Sequence, residues 1–211
     1  MASATVDLVS RAWVFPESRA IDAAELASRA NIPPIIAQLL LARGIETAAE
    51  AERFLNPNIG HLLDPYTMLG MATAVERVQA AMRDHETILI YGDYDVDGTT
   101  AIILLKTALE MLGGAVRFHV PHRLHEGYGM QSTILADAAE AGVRLVISVD
   151  TGIRAFAEAE TAAQLGLDLI VTDHHLTEAG TVPRALAVLN PNQPGCSYAC
   201  KHICGAGVAF K

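Results

Sequence analysis

No stretch of this chain approaches the roughly 18 consecutive apolar residues of a membrane-spanning helix, and no charged-then-apolar leader opens it. No membrane partner is expected, and a cytoplasmic setting is the default reading. Cysteine is scarce: Cys196, Cys200 and Cys204 are the only three, spaced i, i+4, i+8 with His202 between the last two. Zinc sites usually pair their thiols as Cys-x-x-Cys, so these read as reduced thiols in a loop. Charge is also sparse, at 18%, and acids prevail, giving a formal net charge of −9. Residues 1–70 carry 5 basic and 8 acidic groups, and residues 71–211 carry 10 and 16. Neither part is a basic platform, which argues against nucleic-acid binding by charge alone, although divalent cations would offset several of the acids.

What the chain does have is apolar content, 51% over 211 residues, enough for a packed core. Residues 1–20 lack periodicity, and Trp13 there reads as a docking residue. From Asp22 to Phe54 apolar positions recur at helical spacing, interrupted by Pro33-Pro34 and Gly44. Asn56-Pro57-Asn58-Ile59-Gly60 and Asp64-Pro65 mark a loop. We therefore expect a small helical lead-in over 1–70 and a core domain over 71–211, entered by an amphipathic helix from Met71 to about Asp84. Beyond it, short apolar runs rich in β-branched residues fall at 87–91, 116–120, 145–149, 169–172 and 187–189. Helical stretches at 99–112, 131–141 and 153–165 separate most of them. This alternation predicts an α/β fold: a doubly wound, mainly parallel five-stranded sheet covered on both faces.

The segment TILIYGDYDVDGTTA, residues 87–101, puts Asp93, Asp95 and Asp97 at alternate positions after the first run. An EF-hand loop counted from Asp93 would need a bidentate Glu where Leu104 stands, and a helix rather than a strand before it. Asp95-Val96-Asp97-Gly98-Thr99 alone matches the signature of haloacid-dehalogenase-type phosphatases. There the first Asp should follow its strand directly, yet Gly92-Asp93-Tyr94 intervenes and no suitably placed later Lys is found. That reading stays open as a minor alternative. The third is a metal site. In an open parallel sheet, ligands bind beyond the carboxyl ends of the strands. Past the third run comes Asp150, and past the fourth come Asp173, His174 and His175, so five carboxylates and two imidazoles are expected on one rim. Asp97 or Asp150 taken singly also reads as a helix cap. Anions gathered at one edge are costly unless cations neutralise them, and mixed oxygen and imidazole donors suit manganese, magnesium or zinc better than calcium. Two ions about 4 Å apart would activate water for in-line phosphoryl displacement. Phosphoester hydrolysis is the class this suggests.

GDYDVDGTT, VDTG and VTDHH, in this order, resemble the first three motifs of the DHH phosphoesterase superfamily. VPHRLHEGYGM, LNPNQPGC and CGAGVAF resemble its RecJ-type branch of single-strand-specific 5′ to 3′ exonucleases, with the likeness running from about residue 33 to 211. The resemblance implies two Mn2+ or Mg2+ ions on Asp95, Asp97, Asp150 and His174, with Asp150 shared between them. It implies Asp93 as a ligand or an orienting acid, Asp173 as the group that fixes an imidazole, and His175 against the phosphate. Arg123, with His122 beside it, would hold a phosphate, and Tyr128 would stack on a base or ribose. The bland readings are an Arg123–Glu126 ion pair, a tyrosine packed in a turn, and structural or exposed roles for His61, His85, His119, His122 and His125. Members acting on small substrates carry a His where this chain has Tyr91, which favours the exonuclease branch over short oligonucleotides or cyclic dinucleotides. A third possibility, a catalytically silent scaffold, fits poorly with acids present in every motif reached.

The implied function is degradation of single-stranded DNA in repair and recombination, releasing nucleotides with 5′ phosphates, with repair or replication proteins as candidate partners. RecJ-type chains continue with a further metal-binding Asp and nucleic-acid-binding domains, so residues 1–211 read as an amino-terminal fragment. We expect these residues alone to show feeble or no nuclease activity. Brisk manganese-dependent loss of single-stranded DNA in an assay of the purified chain would contradict this.

Overall fold

The computed structural model describes residues 19–124, 127 and 129–211. Trp13, His125, Glu126 and Tyr128 therefore lie outside the described residues. The chain divides into two compact units, residues 1–62 and 63–211. In the first, α1 (Ala20–Ala30), α2 (Pro34–Leu41) and α3 (Ala48–Leu55) bury Leu26, Ala37, Leu40 and Ala51 among themselves. Pro34 sits in the first turn of α2, where its missing N–H costs nothing. Thr47 and Glu50 close a reciprocal capping box on α3.

The second unit holds α4 (Met71–Arg83), β1 (Thr87–Tyr91), α5 (Val96–Met111), β2 (Ala115–His119) and α6 (Ser132–Glu140). β3 (Leu145–Val149), α7 (Phe156–Gln164), β4 (Asp168–Thr172), β5 (Ala187–Leu189) and α8 (Gly205–Phe210) follow. Met68, ahead of α4, is buried in this unit's core. The five strands pair in the order β2-β1-β3-β4-β5, and every pairing is parallel. The expected five-stranded sheet is thus present, and wholly rather than mainly parallel.

Alternate residues of each strand face opposite sides, and this divides the core in two. Ile88, Ile90, Leu145, Ile147 and Ile170 pack with α4, α5 and α8. Leu89, Tyr91, Val146, Leu169 and Val171 pack with α6 and α7 on the other side. Burial on both faces explains why β1, β3 and β4 read as continuous apolar runs rather than alternating ones.

Strand order reverses between β1 and β3, because β1 connects outward to β2 and the chain then returns to β3 on the other side. A crevice opens at such a switch point beyond the carboxyl ends of the strands. Two helix starts differ from the sequence expectation. α5 begins at Val96, three residues early, because the Asp95 side chain caps it by accepting from Gly98 N at 2.9 Å. α7 begins at Phe156, three residues late. Gly152 there has φ 110°, and Ile153 N donates to the Asp173 side chain, so residues 151–155 form a loop tied to the residue that follows β4.

Leu145 is fully buried on the α4, α5 and α8 side of the central strand. Leu145→Ala is expected to lower folding free energy by about 2–5 kcal/mol, the usual cost of such a core truncation, measured by chemical denaturation.

Candidate metal centre

Each acid at the rim is placed by the element it ends or begins. Asp93 and Asp95 follow β1, and Asp97 lies in the first turn of α5. Asp150 follows β3, and Asp173 and His174 follow β4. Asp93, Asp95 and Asp150 each offer a carboxylate oxygen within 4.8 Å of the others. Asp150, His174 and His175 do the same with one oxygen and two ring nitrogens. Asp150 belongs to both groups and so joins them.

Asp150 is only 1% exposed and adopts φ 59°. The left-handed region is uncommon for a residue with a side chain, though Asp tolerates it better than most. Its backbone N–H donates to Thr172 O at 2.9 Å, which fixes the turn against β4. Its Oδ1 is buried and receives no hydrogen bond among the described residues. His174 Nε2 stands 3.3 Å from that oxygen, a close approach outside hydrogen-bond geometry. Gly205 packs against the same carboxylate so closely that a Cβ there would strike it.

Burial first, and then the negative charges of Asp97 and Asp95, push the Asp150 carboxyl up to about 8. Burial, helped by Asp95, likewise raises Asp93, which is 4% exposed. Two buried carboxylates at this separation repel by about 3 kcal/mol at an effective dielectric constant near 20. As a bare set of anions the cluster is unfavourable, and either protons or cations must balance it.

Asp97 and Asp173 are instead well served. Asp97 Oδ2 accepts from Gly205 N and Oδ1 from Ala206 N, both at 2.7 Å. Burial would raise its pKa, but those amides outweigh it and hold the carboxyl below its usual value. Asp97 Oδ2 lies 3.6 Å from His174 Nε2. Asp173 accepts from Ile153 N, His174 N and His175 N, and pairs with His175 Nδ1 at 2.8 Å. Its deep burial is overcome by the His175 and backbone hydrogen bonds, and its pKa is lowered. The Asp173 hydrogen bond in turn raises His175.

Of the residues singled out in the sequence, Asp93, Asp95, Asp97, Asp150, Asp173, His174 and His175 share the rim. Arg123 lies over the Tyr94 ring, 5.1 Å from its centroid. His122 is exposed, and its Nδ1 accepts from Leu124 N at 3.3 Å. Tyr91 is fully buried and donates its hydroxyl to Gly129 O at 3.1 Å. The three cysteines are free, and none joins a metal-capable group among the described residues.

Sequence reasoning gave no role to several groups that brace the site. Asn190 Nδ2 donates to His175 O at 2.9 Å, and Asn192 Nδ2 to His174 O at 2.7 Å. The only signal was their place in the LNPNQPGC segment, whose purpose is now visible: it holds the backbone of the histidine pair.

An open parallel sheet carrying acids and imidazoles at its switch point defines the class of domain. Residues 87–211 match the model of the DHH family, N-terminal domain. The chain belongs to the DHH family. Among curated proteins it is similar to the single-stranded-DNA-specific exonuclease RecJ of Bacillus subtilis, 43% identical over 187 residues, covering 88% of this chain and 24% of that protein. Among solved structures it is similar to RecJ in complex with Mn2+ from Thermus thermophilus, with 28% identity and a TM-score of 0.70 over 90% of this chain and 26% of that one. An exonuclease RecJ bound to manganese is also similar, with 35% identity and a TM-score of 0.64 over 71% of this chain and 37% of that one. The chain thus spans about a quarter of the length of its Bacillus relative.

The raised Asp150 sets a pH dependence. In the metal-free protein the folded state keeps a proton between the ordinary carboxyl pKa and about 8, where the unfolded state has lost it. Folding stability contributed by this group therefore falls as pH rises across that window. The melting temperature of metal-free protein is expected to drop between pH 5 and pH 8, and Asp150→Asn to flatten the drop. Calorimetric melts of both proteins across that range are the check.

Proposed function

We propose that this chain is the metal-binding part of a hydrolase that cleaves phosphodiester bonds in single-stranded DNA from the 5′ end. The observation that carries the reading is the Asp150 carboxylate: buried, without a hydrogen bond to Oδ1 among the described residues, and common to two groups of convergent donors. Those donors are oxygens and imidazole nitrogens, which suit manganese or magnesium. Asp93, Asp95 and Asp150 would hold one ion, and Asp150, His174 and Asp97 a second, which leaves His175 to face the phosphate. When bound, such ions supply Lewis-acid activation of water and neutralise charge on the phosphate.

The protein's own groups do the rest. Asp173, tied to His175 Nδ1, fixes the ring and leaves Nε2 as the nitrogen that can donate to a phosphoryl oxygen. In the metal-free protein the Asp173 hydrogen bond raises the pKa of His175, toward the form in which Nε2 carries a proton to donate. The Gly205 and Ala206 amides hold both oxygens of Asp97, so it keeps one orientation beside His174. Arg123, which lies over the Tyr94 ring, would serve as a phosphate clamp, with His122 nearby in the chain and Tyr128 assigned to stacking. Tyr91, buried where small-substrate members carry His, supports a polynucleotide substrate over a dinucleotide.

The RecJ exonucleases that the chain resembles are named as specific for single-stranded DNA, and this supports the substrate; the 5′ to 3′ polarity and a role in repair and recombination are further parts of the proposal. Partner repair or replication proteins and a cytoplasmic location belong to the same proposal. No described helix is long and apolar enough to cross a membrane.

A calorimetric titration with Mn2+ is expected to saturate with wild-type protein and to lose at least about tenfold in affinity in Asp150→Asn, which removes the ligand common to both groups. Wild-type protein that binds no manganese would overturn the reading. Polarity is read on a single strand labelled at each end in turn. Whatever turnover occurs should release the 5′ label first, and release from the 3′ end first would reverse the assignment.

A further inference from the structure

We propose that the cavity on the α7 side of His175 is a subsite for one nucleotide unit, with Arg154 gripping its phosphate. The proposal rests on the phosphodiester reading above and specifies where the strand sits. The cavity holds about 380 Å³, within the range of small-ligand pockets. His175 lines it, so an occupant lies beside the imidazole that also converges on Asp150.

Its walls have the division of labour that a nucleotide needs. Met130, Ile153 and Ala155 are buried and give an apolar surface for a sugar or base. Gly152, at φ 110°, lets the backbone border the space, and a Cβ there would collide with Ser148 Oγ. The Asp173 carboxylate is quenched: its two oxygens take three backbone N–H groups and the His175 ring. An incoming phosphate therefore does not meet an uncompensated anion there.

Among the described residues, Arg154 is the one Arg or Lys that lines the cavity. It is exposed, and among those residues its guanidinium makes a single long hydrogen bond, 3.4 Å to Leu176 O. That bond holds the guanidinium against the residue next to His175. Its remaining donors can take a phosphate in the forked geometry that arginine favours. Glu158, four residues on, also lines the cavity, and no ion pair joins it to Arg154 among the described residues. One arginine and one carboxylate admit a single phosphate and repel a second. The ligand class is a nucleoside monophosphate unit, not a di- or triphosphate.

The test uses the whole chain loaded with Mg2+ and followed by amide NMR, with thymidine 5′-monophosphate as the probe. Binding is expected to move the resonances of Gly152, Ile153 and Arg154. Arg154→Ala should weaken binding by about tenfold or more, the loss expected for a charge-assisted pair, with Mg2+ affinity and melting temperature unchanged. Arg154→Lys should recover only part of the loss, because an ammonium cannot make the forked contact. Thymidine, lacking the phosphate, should bind both proteins equally weakly. Equal monophosphate affinity in wild type and Arg154→Ala overturns the proposal. So does wild-type protein that binds Mg2+ but not the monophosphate, a result that leaves the metal reading standing. Failure to bind the metal at all would instead sink that underlying reading.

Discussion

Like charges crowded into a place with little water are the constraint around which this domain is arranged. Asp93 and Asp150 are both nearly inaccessible, and Asp95 and Asp97 stand close enough to influence them. Protein folds do not gather buried carboxylates for stability, since removing each from water is unfavourable and their mutual repulsion adds to it. The rest of the site reads as management of that unfavourable concentration. Backbone amides absorb Asp97 and Asp173, an imidazole compensates Asp173 further, and Asp150 is left with an uncommitted oxygen. The residue left uncommitted is the one both donor groups share.

The sheet makes that concentration possible. Parallel strands deliver their carboxyl ends to one edge, and the change of winding direction between β1 and β3 keeps helices from covering it. β1 contributes Asp93, β3 contributes Asp150 and β4 contributes the histidines, from segments far apart in the chain. The two buried faces, each closed by its own set of helices, hold the strand ends rigidly enough for side chains to converge.

Much of this was legible in the sequence because the signals were strong and local. Five β-branched runs marked all five strands, and acids placed just beyond three of them marked the rim. Composition could not show that the sheet lacks any antiparallel strand, since a buried run reads the same in either direction. The helix ends were misjudged where side chains decided them: Asp95 pulls the start of α5 forward, and the Ile153–Asp173 bond delays α7. Asp97 and Asp95 look equivalent in DYDVDG, yet the first is held by amides from residues 205 and 206, a pairing no local pattern announces. Asn190 and Asn192 stood in a recognisable segment, but their hold on the histidine backbone exists only in three dimensions. Arg154 gave no signal at all; only the cavity it borders draws attention to it.

The clasp on Asp97 spans 108 residues of chain. Closing a loop of that length costs chain entropy, and the shared packing of α5 and α8 in one hydrophobic cluster helps to offset it. The acidic rim thus depends on the hydrophobic face that brings α8 against α5. Competence to chelate is then a property of the finished fold, since Asp97, Asp150 and His174 stand far apart along the chain.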